Sequence, residues 1–433
     1  MKTLRYQALL ALVAVCIGLG LGVASTVLGQ KGGGNYATSN GPSEPPPPPP
    51  QPPAPKLPAL RVYEWGVATL NWDGTPEAEE TMPAAFYAAD KIAIAPPIAR
   101  QPKPDVQPVK PDPEKPVIKP RKPVLYFEHD LSAEREIRFD IDVRFPNGRL
   151  TWLYPKPNRR LDATTAQWDN IELVNAGTQK RLGGKLPAPA LFEAEHWAQT
   201  AREGSQTSLL VNGETERYLF YEGEQFDLPE LDLFVATDGS LHIQNHGAWP
   251  VFDVRVNVTQ NGKVRTHYLA TIAAASGEKP ADVELPANSD DLLAEPGILA
   301  RETATAGLTP AQAAVFDKIW RQALLGKSQT LSWRRAPRAL DELAEIKLTL
   351  PVGMASEVKR VGYVLASNVD LARQPDLEAL ALKAANDDAT AAASLQKAGM
   401  AGAGALRRKL ADSTLTLSQR LALAKVLSDM RTR

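Results

Sequence analysis

The chain has 433 residues, of which 43% are hydrophobic and 23% charged, enough for about two or three domains with substantial cores. Its 49 basic and 50 acidic residues nearly cancel, which argues against nucleic-acid binding and against general attraction to an anionic membrane. Cys16 is the one cysteine and lies in an apolar N-terminal stretch. The composition therefore excludes disulfides, cysteine-ligated zinc and a cysteine nucleophile from the remainder of the chain.

The N-terminus has the layout of an export signal. Lys2 and Arg5 precede a long apolar run, and small residues follow at Ser25 and Gly29, either of which fits a cleavage site. An apolar run of about 20 residues can also span a bilayer as an uncleaved anchor. We therefore predict that residues 1–29 are a signal peptide or an anchor. The protein is then secreted or periplasmic, or else anchored in the inner membrane facing the periplasm.

Two proline-rich stretches are predicted to be disordered. Residues 30–58 contain a glycine run and then many prolines, which fix φ and remove amide donors, so this spacer should adopt polyproline II and act as a stalk. Residues 96–123 alternate prolines with lysines and acids, which predicts a solvated loop inside the β-rich region.

The strongest strand pattern lies in residues 136–155. Apolar and charged residues alternate up to Phe145, and Asn147-Gly148 favours a two-residue hairpin turn. Pro146 cannot donate a hydrogen bond, so the loop can be wider by two residues. The hairpin would place three apolar pairs on one face: Phe145 with Leu150, Val143 with Trp152, and Ile141 with Tyr154.

Further short strands favour an antiparallel two-sheet body over residues 59–275. Asp238-Gly239 and Asn261-Gly262 are turn sequences that separate neighbouring strand patterns. The predicted strands cover residues 61–70, 124–127, 218–221, 231–236, 241–245, 251–258 and 264–272.

Helical patterns begin after about residue 288. Thr309 and Gln312 form a capping box with proline at the first helical position, and Gly326 ends that helix. Residues 276–370 are predicted to hold this segment together with strands at 347–350 and 358–365 that rejoin the body. Residues 371–433 are predicted to be helical, in four pieces at 377–385, 388–397, 405–411 and 417–430. The fold class is thus α+β, an antiparallel β-sandwich-like body followed by a helical C-terminal region.

Two resemblances add to this description. The stretch 387–430, with Asp-Asp-Ala-Thr and Ala-Leu-Arg-Arg-Lys-Leu, resembles HEAT-type helical pairs. Five short motifs are similar to those of an uncharacterised group of bacterial exported proteins, which implies export and assigns no catalytic residue. They are Tyr-Glu-Trp-Gly at 63–66, Lys-Pro-Val-Leu-Tyr-Phe at 122–127, Phe-Pro-Asn-Gly-Arg-Leu at 145–150, Tyr-Leu-Phe-Tyr at 218–221 and Val-Lys-Arg-Val at 358–361.

Familiar catalytic signatures are missing, because the sequence has neither Gly-x-Ser-x-Gly nor His-Glu-x-x-His. The candidate catalytic residues are Glu128 and His129, at the end of a predicted strand, and His242. An ordinary polar turn explains Glu128 and His129 equally well. No cofactor is predicted.

The candidate metal ligands are two pairs. His242 and His246 share a strand face but lie about 13 Å apart on an extended chain, so surface histidines are the plainer interpretation. Asp140 and Asp142 share a face about 7 Å apart, which suits a carboxylate pair or a calcium ion. The flanking arginines favour a solvated charge ladder instead.

The tether and the missing catalytic set favour a non-catalytic envelope protein on a stalk. Its predicted partners are another envelope protein or a cell-wall polymer, and it would touch the membrane through an uncleaved N-terminal segment alone. The alternative is an extracytoplasmic hydrolase acting on polysaccharide or peptide. Scattered positions for Glu128, His129, Asp140, His242 and Asp253 would count against that alternative. Tryptophans, including Trp249, are candidates for a sugar-stacking surface or for the core.

Overall fold

The structure of the chain is a computed structural model that describes residues 59–78, 81–94, 119–129, 136–225, 228–277 and 279–432. The predicted leader and stalk lie outside the described residues, as does most of the predicted loop 96–123. A strand already begins at Lys119, within the range assigned to that loop.

In the described residues, eighteen strands, numbered in chain order, lie in three sheets. The largest sheet runs, in spatial order, β14 (Lys263–Ile272), β13 (Val251–Gln260), β16 (Thr330–Arg335), β18 (Ala355–Ser367), β1 (Ala59–Asn71), β3 (Lys119–His129), β10 (Leu219–Gln225), β5 (Gly148–Tyr154) and β2 (Tyr87–Ala88). A second sheet contains β17 (Glu345–Thr349), β4 (Arg138–Arg144), β7 (Thr165–Leu173), β8 (Leu209–Val211) and β9 (Glu214–Glu216), with β6 (Arg159–Arg160) paired to β7. The third consists of β11 (Leu231–Val235), β12 (Leu241–Asn245) and β15 (Ala281–Glu284). Strand β1 pairs in parallel with β18, and the other pairs of these strands are antiparallel.

The α-helices lie mostly in the second half of the chain. None of those in the described residues combines the length and the apolar character needed to cross a bilayer. They are α1 (Ala176–Arg181), α2 (Trp197–Ala201), α3 (Ile298–Thr305), α4 (Pro310–Leu325), α5 (Pro337–Leu343), α6 (Gln374–Ala385), α7 (Ala389–Lys397), α8 (Gly399–Leu410) and α9 (Leu417–Thr432).

The large sheet is covered on both faces because its central strands alternate apolar residues on each side. On β1, Trp65 and Val67 face one way and pack with helices α2 to α4. Leu60 and Val62 face the opposite way and pack against the second sheet, which makes the sandwich. Further along that same face, Leu70 packs with the small sheet and with helices α6 to α9. The fold is therefore α+β, with a sandwich-like body and a helical C-terminal region, as the sequence predicts.

The predicted hairpin across residues 145–148 is wrong. Strand β4 pairs with β7 and β17 in the second sheet, whereas β5 pairs with β10 and β2 in the large sheet. The Phe145 amide donates to Thr164 O at 2.9 Å, and the Leu150 amide donates to Ala163 O at 3.0 Å. Because Pro146 has no amide to donate, the chain changes sheets here instead of folding back, so the three predicted cross-strand pairs do not form.

Signals confined to a few residues are confirmed. Strand β11 turns at Asp238-Gly239 into β12, and β13 turns at Asn261-Gly262 into β14. Thr309 and Gln312 form both bonds of the capping box at the start of α4. The four C-terminal helices are present, and the Thr416 amide donates to Gln419 Oε1 at the start of α9.

One buried ion pair joins the two parallel strands at the centre of the large sheet. Glu64 on β1 lies opposite Arg360 on β18, and Arg360 Nε and the Tyr221 hydroxyl both donate to its carboxylate. Arg360 Nη1 also donates to Asp341 Oδ1 at 2.9 Å and to Ala344 O at 2.7 Å. Burial alone would lower the pKa of Arg360, but Glu64, Tyr221 and Asp341 together outweigh burial and raise that pKa above its ordinary value.

Replacing Arg360 with Met should lower the free energy of unfolding by about 3–5 kcal/mol, because a buried Glu64 carboxylate then loses its counter-charge. The matched control is Arg144→Met, which breaks the exposed pair with Glu345 and should cost no more than about 1 kcal/mol. Urea unfolding of both variants measures the difference. Equal losses would show that the Glu64–Arg360 pair is not a central stabilising contact.

A close backbone contact fixes the C-terminal helices to the end of β1. The Ala401 amide donates to Trp72 O at 3.1 Å. At the start of α8, Gly399 has φ of +58°, and a Cβ there would lie 2.6 Å from Gly74 Cα. Both the conformation and the space therefore require glycine.

We expect Gly399→Ala to reduce the free energy of unfolding by roughly 2–5 kcal/mol, from left-handed backbone strain and the clash with Gly74. Gly353→Ala is the control, since Gly353 has φ of +81° but nothing within 4 Å of the added carbon. That variant should lose about 1–2 kcal/mol from backbone strain. Thermal or urea unfolding that gives the same loss in both variants would contradict the role of the close contact.

Candidate functional site

A polar cleft of about 250 Å³ lies where four separate segments of the chain meet. The turn between β12 and β13, residues 246–250, forms one wall, and α5 forms the facing wall. The lining also includes Gln225 at the end of β10, Leu228 and Glu230 before β11, and Arg407 of α8. The cleft is thus assembled from the large sheet, the small sheet and the C-terminal helices.

An ion pair lies at the base of the cleft. Arg335, the last residue of β16, donates to Glu230 twice, from Nε to Oε1 at 3.0 Å and from Nη2 to Oε2 at 2.7 Å. Trp333 Nε1 donates to the same Oε1 at 2.7 Å. Burial alone would raise the pKa of Glu230, but the charge and hydrogen bonds of Arg335, with the Trp333 bond, outweigh burial and lower that pKa. Glu230 is therefore a fixed carboxylate with both oxygens occupied.

The wall at residues 246–250 is held by a buried asparagine. Asn245 Nδ2 donates to Trp249 O at 2.9 Å and to Ala273 O at 2.8 Å, and its Oδ1 accepts from the Gly247 amide at 2.8 Å. The His246 amide donates to Glu230 O at 2.9 Å. The side chain and backbone bonds together fix the turn before any ligand arrives.

Trp249 is the aromatic residue of the cleft, and its indole is locked from two sides. Its Nε1 donates to Glu342 Oε1 at 3.0 Å, and the Arg338 guanidinium lies 5.5 Å from the ring centroid. The side chains of Trp249 and Trp152 are half-buried, whereas Trp65 and Trp72 are buried in the core. Trp152 packs against a core cluster, and of these four tryptophans Trp249 is the one that lines the cleft.

Gln225 supplies an unused polar group. It is the last residue of β10, is 5% exposed and lines the cleft. Its carboxamide oxygen has no hydrogen-bond partner among the described residues. A buried acceptor without a donor is costly, so it favours a bound group that donates.

The sequence-predicted pair Glu128 and His129 lies elsewhere, in an open depression of about 520 Å³ beside residues 204–207 and the start of α4. Glu128 forms a long ion pair with Arg61 at 3.9 Å. The Ser205 hydroxyl in this depression accepts from the Thr207 amide at 3.0 Å, which is a local turn bond. No bond between Ser205 and His129 is seen in this part of the structure.

The two predicted metal histidines are not brought together. His242 Nδ1 lies 2.9 Å from Asp282 Oδ1 and its Nε2 lies 3.1 Å from Ser240 Oγ, on the small sheet. His246 lies at the cleft instead. Across the described residues, no group of three or more His, Cys, Asp or Glu side chains is arranged to hold a metal ion.

Asp140 and Asp142 belong to a ladder of charges across the second sheet. Arg138 pairs with Glu172 at 3.3 Å, and Arg144 pairs with Glu345 at the same distance. Asp140 Oδ1 accepts from the Asn170 amide at 2.8 Å. Burial raises the pKa of Asp142, against the attraction of Lys347 on β17.

Asp253, the last residue of the geometric test, is buried in the large sheet. Its carboxylate accepts from Arg334 Nε at 2.6 Å and from the Tyr363 hydroxyl at 3.2 Å. Asp253, Asp140 and His242 therefore lie on three different sheets. The sequence analysis does not identify Glu230, Arg335 or Gln225 as site residues, because none of them belongs to a local sequence motif.

No protein-family model and no curated protein matches the chain. Among solved structures, the Fcho1 Mu homology domain of Danio rerio with a bound Eps15 peptide is similar with a TM-score of 0.28 and 10% sequence identity. That match covers 72% of this chain and 96% of the other chain. A likeness at this TM-score gives no ground for a shared site or ligand.

The Glu230 pair predicts a pH-dependent stability. Because the folded-state pKa of Glu230 is lowered, ionised Glu230 stabilises the fold above its unfolded-state pKa of about 4.3, and that contribution is lost as the pH falls through the folded value. Glu230→Gln should therefore lose roughly 3 kcal/mol at pH 7, and the deficit should shrink below about pH 4. Urea unfolding between pH 7 and pH 3 measures it, with Glu345→Gln as the exposed control. A deficit that is constant with pH would contradict the assignment.

Proposed function

We propose that the protein is an exported, non-catalytic component of the cell envelope that binds another envelope component through the cleft beside Trp249. The observation that carries this proposal is that the acidic groups of the cleft are already engaged. Glu230 is bonded to Arg335 and Trp333, and Glu342 is bonded to Trp249. Such groups are suited to hold a ligand in a fixed geometry.

The same engagement argues against general acid–base chemistry in the cleft. A catalytic carboxyl needs a pKa near the working pH and a hydrogen-bonding position open to substrate. The pKa of Glu230 is lowered, away from neutral pH, and both of its oxygens accept hydrogen bonds. A polysaccharide or peptide hydrolase would instead have to use the depression at Glu128 and His129.

The envelope address comes from the sequence of the first 58 residues. A basic start and an apolar run favour passage through a membrane, and the proline-rich stretch favours a stalk. The body lacks thiols, so it can mature in an oxidising compartment without disulfide exchange. Buried ion pairs such as Glu64 with Arg360 join distant parts of the chain without a covalent bond.

A reporter fusion tests the address. A phosphatase that needs disulfides for activity, fused behind Pro58, should be active in cells, and a fluorescent protein that folds only in the cytosol should be dark at the same junction. Fractionation with N-terminal sequencing of the full chain distinguishes a cleaved signal from an anchor. A fusion that is active only in the cell interior would overturn the envelope role.

A sedimentation assay tests binding without catalysis. The purified full-length protein should pellet with isolated cell envelopes. Arg335→Ala should weaken pelleting at least tenfold, whereas Val352→Ala, at a fully exposed site, should leave pelleting unchanged. The supernatant should contain no newly released sugar or peptide. Product release that Glu128→Gln abolishes would favour the hydrolase, and equal pelleting by both variants would remove the cleft from the function.

A further inference from the structure

We propose that the cleft beside Trp249 binds one ring of a neutral saccharide. The proposal rests on the proposed function and names the ligand class for the same site. Four features carry it: a locked aromatic surface, charged groups that are engaged within the protein, an unused buried acceptor and a small volume.

Trp249 provides the surface on which a sugar ring can pack. The axial C–H groups of a pyranose make an apolar face that packs on an aromatic ring. The indole is held by Glu342 and Arg338, and its backbone carbonyl by Asn245, so little side-chain entropy is lost on binding. The indole is therefore pre-positioned at the cleft.

The charged groups at the cleft are engaged within the protein. Glu230 pairs with Arg335, Glu342 accepts from Trp249 Nε1, and Arg338 lies over the same indole. A site whose charges are engaged in this way exerts little attraction on an anion or a cation. A neutral ligand thus fits the cleft better than a phosphate, a carboxylate or an amine.

The hydrogen-bonding groups of the cleft favour a ligand that can donate. The Gln225 oxygen needs a donor, and the exposed Glu342 carboxylate accepts from Trp249 while retaining further lone pairs. A hydroxyl group donates a hydrogen bond without carrying charge, so vicinal hydroxyls of a sugar can satisfy both acceptors.

The size of the cleft limits the ligand to about one ring. Sites for drug-sized ligands occupy about 300–1,000 Å³. The cleft, at about 250 Å³, lies just below that range and is open to solvent at Trp249. One ring of a longer glycan can therefore enter while its neighbours stay outside.

Ligand-observed NMR with N-acetylglucosamine, its β-1,4-linked oligomers and glucose tests the proposal on the full-length protein. At least one of these neutral sugars should bind, and Trp249→Ala and Gln225→Leu should each weaken binding at least tenfold. Tyr87→Ala, which removes an exposed aromatic outside the cleft, should leave affinity unchanged. Unfolding curves of each variant confirm that it folds, and Trp249→Phe supplies a milder change of the same surface.

Three outcomes would overturn the saccharide assignment: no neutral sugar binds, Trp249→Ala binds as wild type does, or charged wall peptides bind in a Trp249-dependent way and sugars do not. The envelope sedimentation assay distinguishes this failure from failure of the proposed function. Pelleting that depends on Arg335, without sugar binding, would contradict the saccharide assignment alone. Absence of both Arg335-dependent pelleting and sugar binding would contradict the saccharide assignment and the proposed function together.

Discussion

The parallel pairing of β1 with β18 is the constraint on which the rest of the fold depends. Glu64 and Arg360 lie 296 positions apart in the chain, yet they are partners in the register of neighbouring strands. Parallel neighbours need a crossover, and here the crossover contains the second sheet, the small sheet and helices α1 to α5. A one-residue slip in this pairing would move Glu64 off Arg360 and turn it to the opposite face, against Trp65's apolar neighbours. The ion pair therefore selects one register for the whole body.

Local chemistry explains which predictions succeed. Asp238-Gly239, Asn261-Gly262 and the Thr309 capping box act within four residues, so tertiary packing does not override them. The turn at Asn147-Gly148 has the same local signal, but Pro146 withholds a donor, and the strand that would fold back finds its partner in β10 instead. Apolar alternation fixes which face of a strand is buried, and it does not fix which sheet the strand joins.

The cleft was beyond sequence reasoning for a related reason. Its lining groups come from the ends of β10 and β16, the β12–β13 turn and helix α8, and no two of these are neighbours in the chain. Gln225 and Arg335 are each the last residue of a strand, where a polar side chain is ordinary and carries no signal of a site. The sequence signal for the cleft is Trp249, which lies in a short turn between two predicted strands. A large apolar side chain in such a turn has few strand residues to pack against.

Charge pairing in the interior also explains where the cleft opens. Two ion pairs each join a strand to a helix. Arg255 of β13 pairs with Glu302 of α3, and Asp232 of β11 pairs with Arg408 of α8 at 2.6 Å, so these pairs dock the two helices onto sheets. The pair of Glu230 with Arg335 joins the residue before β11 to the end of β16, with side chains 14% and 10% exposed. Helix α5 begins two residues after Arg335 and forms the facing wall of the cleft, so this largely buried ion pair lies beside a fixed indole. An interaction that elsewhere docks a helix onto a sheet thus lines a cleft here, which is why we propose that its rigidity serves recognition.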